Sequence, residues 1–338
     1  MEKKAEQIHD DEWLKTLPVQ AEDFAFKPEE MVTCAACQRT NPPTRVKCFY
    51  CGKELEINEL QARQIKPNLR KLELWEKGFN LIYKPNEAQF DETNLAEIAK
   101  LVNLERETLE KICAAKMALP MARIESEKEA EIVQNRLREL GFETSILSDE
   151  KLAGDKMPRR LHGLEFWDDK LILIFFNSDE IAEIALEDLV LIVWGAIFER
   201  KTESLEKRKK GTNTLLKATE TATDEMLFDI YCRENPNGYR IFAKGFDFSC
   251  LEAEKEMLAK DNLKKLAQKL QNLAPNVKTV ENYLQLRESL GNIWEADEKN
   301  DAKGVTRQSF GKFNFGNITM VSNWTQFNKF SRLQWHSL

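Results

Sequence analysis

The 338-residue chain is 42% hydrophobic and 32% charged, a composition that excludes disorder throughout and, at this length, predicts two or three folded modules. A formal net charge of -7 argues against a whole-molecule binder of nucleic acid or anionic membrane and leaves room for a local basic patch. Of seven cysteines, four fall in one tight cluster and Cys113, Cys232 and Cys250 stand singly in apolar contexts, which is metal usage and excludes a disulfide framework.

Residues 1–30 are acidic and lack sustained periodicity, so they read as a tail; no apolar stretch follows Met1, which predicts no secretory leader and a cytoplasmic, bacterial-type protein. Residues 31–55 hold Cys34-Ala35-Ala36-Cys37 and, ten residues on, Cys48-Phe49-Tyr50-Cys51-Gly52. Two CxxC turns each present two sulfurs, and a short hairpin between them closes a tetrahedron around zinc, with sulfur distances near ~2.3 Å. Cys34, Cys37, Cys48 and Cys51 are therefore the predicted ligands of one structural zinc ion per chain. Four cysteine ligands leave zinc no open position, so stabilisation of the ribbon is expected rather than activation of water.

Those residues, with Asn41-Pro42-Pro43 and Cys51-Gly52-Lys53, resemble the zinc-ribbon modules of bacterial proteins. The spacing of Cys37, Asn41 and Cys48 is also similar to the Ran-binding-protein type of zinc finger, although Val32 stands where that family usually has tryptophan. Between Cys34 and Lys53 there is no acidic residue, and Arg39, Arg45, Lys47 and Tyr50, with Phe49, make a candidate surface for single-stranded nucleic acid. Zinc with four thiolates carries two negative charges and offsets half of the local positive charge, which favours a protein-docking or purely structural ribbon.

A connecting helix is expected within 56–77. Residues 78–150 then read as strand (79–83), two helices (Leu95, Ile98, Leu101 and Val102; Leu109, Ile112 and Cys113), strand (121–124), helix and strand (142–147). Ser126 and Glu129 form the start signal of the last helix and Gly141 its stop. This β-α-α-β-α-β order resembles the C-terminal domain of the bacterial ribosomal stalk protein. In that family a lysine-bearing helical face meets translation factors; here the corresponding helices carry Glu105, Glu107, Glu110, Lys111 and Lys116, a different charge pattern.

Residues 158–276 show strand-like runs at 163–167, 171–176, 181–185, 189–198, 226–232 and 239–246, the last two flanking the turn sequence Asn235-Pro236-Asn237-Gly238. The most apolar run, 189–198, is about half the ~20 residues a membrane-spanning helix needs, and no membrane span is expected. Polar residues 201–223, including Lys207-Arg208-Lys209-Lys210, read as a mobile loop. A helix follows from Asp261, with Leu263, Leu266, Ala267, Leu270 and Leu273 on one face. Antiparallel strands closed by a long helix resemble a pleckstrin-homology-like domain, which implies docking. Residues 277–338 supply a helix at 279–294, a solvated charged stretch at 295–303 and an aromatic-rich extension with Phe310, Phe313, Phe315, Trp324, Phe327, Phe330 and Trp335, expected to pack onto the β-rich module.

The fold class expected is thus multi-domain α+β. Phosphate-cradling, nucleophile-elbow and zinc-protease motifs are not found, and His9, His162 and His336 lie far apart in the chain. The function expected is a non-enzymatic adaptor or scaffold with a protein partner; the alternative is an RNA- or ribosome-associated zinc-ribbon factor.

Overall fold

The computed structural model describes residues 26–27, 29–65, 67, 69–86, 92–209, 212–309 and 312–338. The chain divides into two compact units, residues 1–68 and 69–338. Most of the predicted acidic tail, His9, Lys210 and Phe310 lie outside the described residues.

The first unit contains a two-stranded ribbon, β1 (Val32–Thr33) paired antiparallel with β2 (Thr40–Asn41), and a six-residue helix α1 (Glu59–Gln64). Asn58 and Gln61 cap α1 reciprocally, each side chain accepting from the other's backbone amide. Within 56–77, α1 is the extent of helix among the described residues, shorter than the connecting helix expected there.

In the second unit the β-α-α-β-α-β order appears as β3 (Phe79–Tyr83), α2 (Glu92–Val102), α3 (Arg106–Ala114), β4 (Leu119–Ile124), α4 (Glu127–Glu139) and β5 (Thr144–Ser148). β3 lies between β4 and β5, antiparallel to both. Ser126 caps α4 by accepting from the Glu129 amide, as its sequence position predicts. A short helix α5 (Asp149–Ala153) leads into β6 (Arg159–Trp167), β7 (Lys170–Phe175), β8 (Ile181–Ala185), β9 (Leu189–Lys209), β10 (Thr212–Cys232) and β11 (Asn235–Phe242). Helix α6 (Ala259–Leu273), β12 (Lys278–Val280), α7 (Tyr283–Gly291), β13 (Asp297–Ser309), β14 (Lys312–Ser322) and α8 (Trp324–His336) complete it. The large sheet runs β13-β14-β9-β10-β11-β6-β7-β8, antiparallel except where β11 meets β6, and β12 adds parallel to β9.

Period-two alternation in β9 and β10 puts opposite side chains into two different cores. Leu191, Val193, Ile197, Leu227 and Tyr231 face a core shared with β3, β4, α7 and α8. Ile192, Phe228 and Ile230 face one closed by Leu263, Leu266, Ala267 and Leu270 of α6. The central sheet is buried on both sides, which is why 189–198 is a continuous apolar run.

Four expectations are corrected. Residues 201–209 and 212–223, within the stretch expected to be a loop, form the outer halves of β9 and β10, paired from Lys201↔Thr221 out to Lys209↔Thr212; threonine-rich strands without a buried face leave no apolar alternation to read. The charged stretch 295–303 is half-exposed or exposed, as expected, but from Asp297 on it is a strand, β13, paired with β14. The turn at 235–238 is displaced: the chain reverses at 233–234, and Asn235 already pairs with Cys232. The helix at 279–294 starts later, at Tyr283, because 278–280 pairs with β9. The aromatic extension packs deeper than onto the β-rich strands alone: Phe327, Phe330 and Leu333 of α8 are 0% exposed in the core shared with β3 and β4. Residues 78–150, 158–276 and 277–338 accordingly belong to one compact unit.

Candidate metal centre

The ribbon is set by short backbone loops. The Cys34 amide donates to the Arg39 carbonyl and the Gln38 amide to the Cys34 carbonyl, which closes the first knuckle. At the second, the Gly52 amide donates to the Cys48 carbonyl and the Cys48 amide to the Lys53 carbonyl; Gly52 stands at φ +72°, where glycine is strain-free. Val32, Cys34, Cys48 and Leu55 form a small buried cluster beneath the two turns.

This places the sulfurs of Cys34, Cys37, Cys48 and Cys51 within 4.8 Å of one another. The Cys34–Cys51 and Cys37–Cys48 separations are both 3.6 Å. Four thiolates bonded at ~2.3 Å to one tetrahedral ion would stand about 3.8 Å apart, so the donor set fits a metal ion of that size. The arrangement is compatible with a zinc-ribbon-like site.

Proton affinity within the set is uneven. The Cys37 amide holds the Cys34 thiol below its ordinary value. Burial raises Cys48, but the amides of Cys51 and Tyr50 and the Asn41 side chain outweigh it and bring the thiol down to about 6. For Cys37 the balance is reversed: the Arg39 amide lowers it, yet burial and the sulfurs of Cys48, Cys51 and Cys34 push it up to about 12. Ionising all four sulfurs together therefore calls for a cation among them.

Asn41, 0% exposed, is the partner that residue-type reasoning passed over as a mere spacing mark. Its Nδ2 donates to the Cys48 sulfur (3.4 Å) and to the Arg39 carbonyl, and its Oδ1 accepts from the Phe49 amide (2.8 Å), so one side chain orients the second knuckle.

The predicted cationic and aromatic residues do meet. Arg39 lies over the Tyr50 ring at 4.7 Å and Arg45 over Phe49 at 5.1 Å, while the two rings contact edge to face at 5.5 Å. Lys47 bridges to Glu54 through the backbone.

The remaining cysteines lie elsewhere. Burial pushes Cys113 and Cys250 up to about 11 and Cys232 to about 12, so all three are held as inert thiols. His162 is exposed on β6, 6.3 Å from the Phe176 ring, and His336 ends α8. Lys329 and Arg332 are buried inside the second unit, on the Asp149 carboxylate and the Lys156 carbonyl. On α3, Arg106 pairs with Glu110 and Lys111 with Glu107. No helix among the described residues is long and apolar enough to cross a membrane.

No protein-family model, no curated protein and no solved structure matches this chain.

Proposed function

We propose that the chain is a non-enzymatic adaptor in which Cys34, Cys37, Cys48 and Cys51 hold one structural zinc ion and the ribbon so stabilised docks a protein partner. The observation that carries this reading is the exposure of Phe49 (69%) and Tyr50 (52%) between two of the ligands, in a ribbon that buries Val32 and Leu55. Large rings held on a metal-pinned turn lose little freedom on binding and are the residue types that dominate interface energetics. Four protein sulfurs fill the coordination of zinc, so its contribution is to hold this face rigid.

The test is affinity purification of the full chain from native cells beside Phe49→Ala/Tyr50→Ala. A protein partner that is lost from the variant while zinc content is unchanged is the expected result. Single-stranded RNA is the second reading, favoured by the Arg39–Tyr50 and Arg45–Phe49 pairs. It would be recognised by captured material that ribonuclease removes and that dissociates steeply as salt rises.

A further inference from the structure

Strands β9, β10, β13 and β14 continue past both cores as a four-stranded arm in the order β13-β14-β9-β10. The arm is paired internally along its length, with register shifts at 215–217, 302–304 and 307–309: Thr202, for example, faces Glu220 on one side and Thr319 on the other, and Thr319 faces Asn300. Its faces are polar, with Thr202, Ser204, Thr219, Thr221 and Thr319 along its length.

Composition changes at the far end. The register pairs Arg208 with Phe313 and Lys207 with Asn314, so the outer ends of strands β9 and β14 lie side by side in one sheet. Across the described strand positions 205–209, 212–217, 305–309 and 312–315, the cations are Lys207, Arg208, Lys209, Lys217, Arg307 and Lys312 and the acid is Glu206. Six cations against one acid, in a chain whose net charge is -7, is a marked segregation. Apolar side chains are exposed at the same place: Leu215 (60%), Val305 (59%), Leu216 (48%) and Leu205 (37%). Val305, Phe315, Glu206 and Leu215 fall in one row across the four strands.

We infer that the outer ends of these four strands are a docking edge for an anionic lipid surface. Basic side chains near such a surface are attracted to its phosphate and carboxylate headgroups. The exposed leucines and valine gain by leaving water for the acyl boundary, and weak charge attraction with a few buried apolar groups is the combination that holds peripheral proteins on membranes. Nucleic acid would satisfy the cations as well, but aliphatic side chains offer bases no face on which to stack, and their exposure here would go unused. A single basic run in a polar segment is ordinarily just solvated; the structure adds the second hairpin, bringing Arg307 and Lys312 beside Lys207, Arg208 and Lys209.

The experiment is cosedimentation of the full chain with vesicles of phosphatidylcholine plus phosphatidylserine and with vesicles of phosphatidylcholine alone. Binding to the mixed vesicles is expected to be at least about tenfold tighter and to weaken with added salt. Lys207→Glu/Arg208→Glu/Lys209→Glu should reduce it about 100-fold or more. Leu215→Ser/Leu216→Ser should reduce it about tenfold while leaving its salt dependence in place. Unchanged hydrogen-exchange protection of the amides at 200–205 in each variant shows that the arm remains folded. Equal affinity for the two vesicle types, full retention of binding by either variant, or capture of an oligouridylate probe without vesicle binding would each overturn the inference.

Discussion

Replacing Asp149 tests what holds the second unit together. This carboxylate, 8% exposed, accepts from Arg123 Nε (2.7 Å), Lys329 Nζ (2.6 Å), Asn80 Nδ2 (2.9 Å) and the Gly78 amide (2.9 Å). It thereby ties the start of α5 to β4, α8, β3 and the segment before β3. Asp149→Ala leaves the Arg123 and Lys329 side chains, 9% and 11% exposed, beside each other without the carboxylate that bridges them, with Glu76 near Arg123 and Asp297 near Lys329 as the remaining acids. Removing one member of a buried pair costs about 3–5 kcal/mol because of the charge left behind. Arg123 still donates to the carbonyls of Glu73 and Glu76, so the lower end, about 3 kcal/mol, is expected, with a Tm loss on the order of 10 °C. Lys329→Met, which leaves Asp149 paired with Arg123, should cost less, and adding it to Asp149→Ala should recover part of the loss. Burial raises the Asp149 carboxyl, but the Lys329 charge and the Asn80, Lys329 and Arg123 hydrogen bonds outweigh it and set the group below its ordinary value. A depressed carboxyl stabilises the fold above its unfolded value of about 4 and loses that contribution as pH falls through the folded value. Acid should therefore destabilise the wild type more than Asp149→Asn. Denaturant titration of the four variants and the wild type against pH measures all of this; a loss below about 1 kcal/mol for Asp149→Ala would refute the reasoning.

Elemental analysis should find one zinc per chain, sharply reduced by Cys34→Ser or Cys51→Ser and unchanged by Cys113→Ser, Cys232→Ser or Cys250→Ser. A Cβ at Gly195 would collide with the Phe327 ring, so Gly195→Ala should cost about 1–3 kcal/mol and be read as a lowered denaturation midpoint. In hydrogen exchange, backbone amides of β9 at 200–205, flanked by both β10 and β14, should outlast those of β10 at 217–223, which lie at the edge of the arm. Equal protection of the two segments would contradict the strand order.

Elements whose signals are local were legible. The Ser126 cap, the helical spacing through Ile132, Val133 and Leu137, and the short strand-forming run Phe79–Tyr83 each arise within a few residues. The arm was not legible, because strands solvated on both faces have no hydrophobic period, and the partner that converts 201–209 into a central strand, β14, lies about a hundred residues away. Helix α8 was obscured for a related reason. It buries Gln326, Lys329, Ser331, Arg332 and Gln334 alongside Phe327 and Phe330, so no polar face marks its outside. Each polar group is satisfied by a distant residue: Ser331 donates to Asp229 (2.7 Å), Gln334 to the Ala118 carbonyl (3.0 Å), and Gln326 to the Trp294 carbonyl (3.0 Å). A sequence reader sees a polar, aromatic tail where the folded chain has a fully partnered central helix.

The same distinction separates the two candidate surfaces. Zinc-ligand spacing is a property of one hairpin, so Cys34, Cys37, Cys48 and Cys51 could be named as a set before any tertiary contact was known. The stacking of Arg39 on Tyr50 and Arg45 on Phe49 needs only the same hairpin to close, and the residue types already announced it. The meaning of Lys207-Arg208-Lys209 is different, since alone it is a short solvated basic run. Its charge becomes a surface only when β14 lays Lys312 and Phe315 along β9, with β13 and Arg307 beyond them. Electrostatic attraction to a planar charged surface depends on how many cations can approach it at once, within a screening length of about 8–10 Å. Strands about 4.8 Å apart bring two hairpin ends inside that length. Sheet pairing, rather than the basic motif, is therefore what gives this edge its capacity to dock.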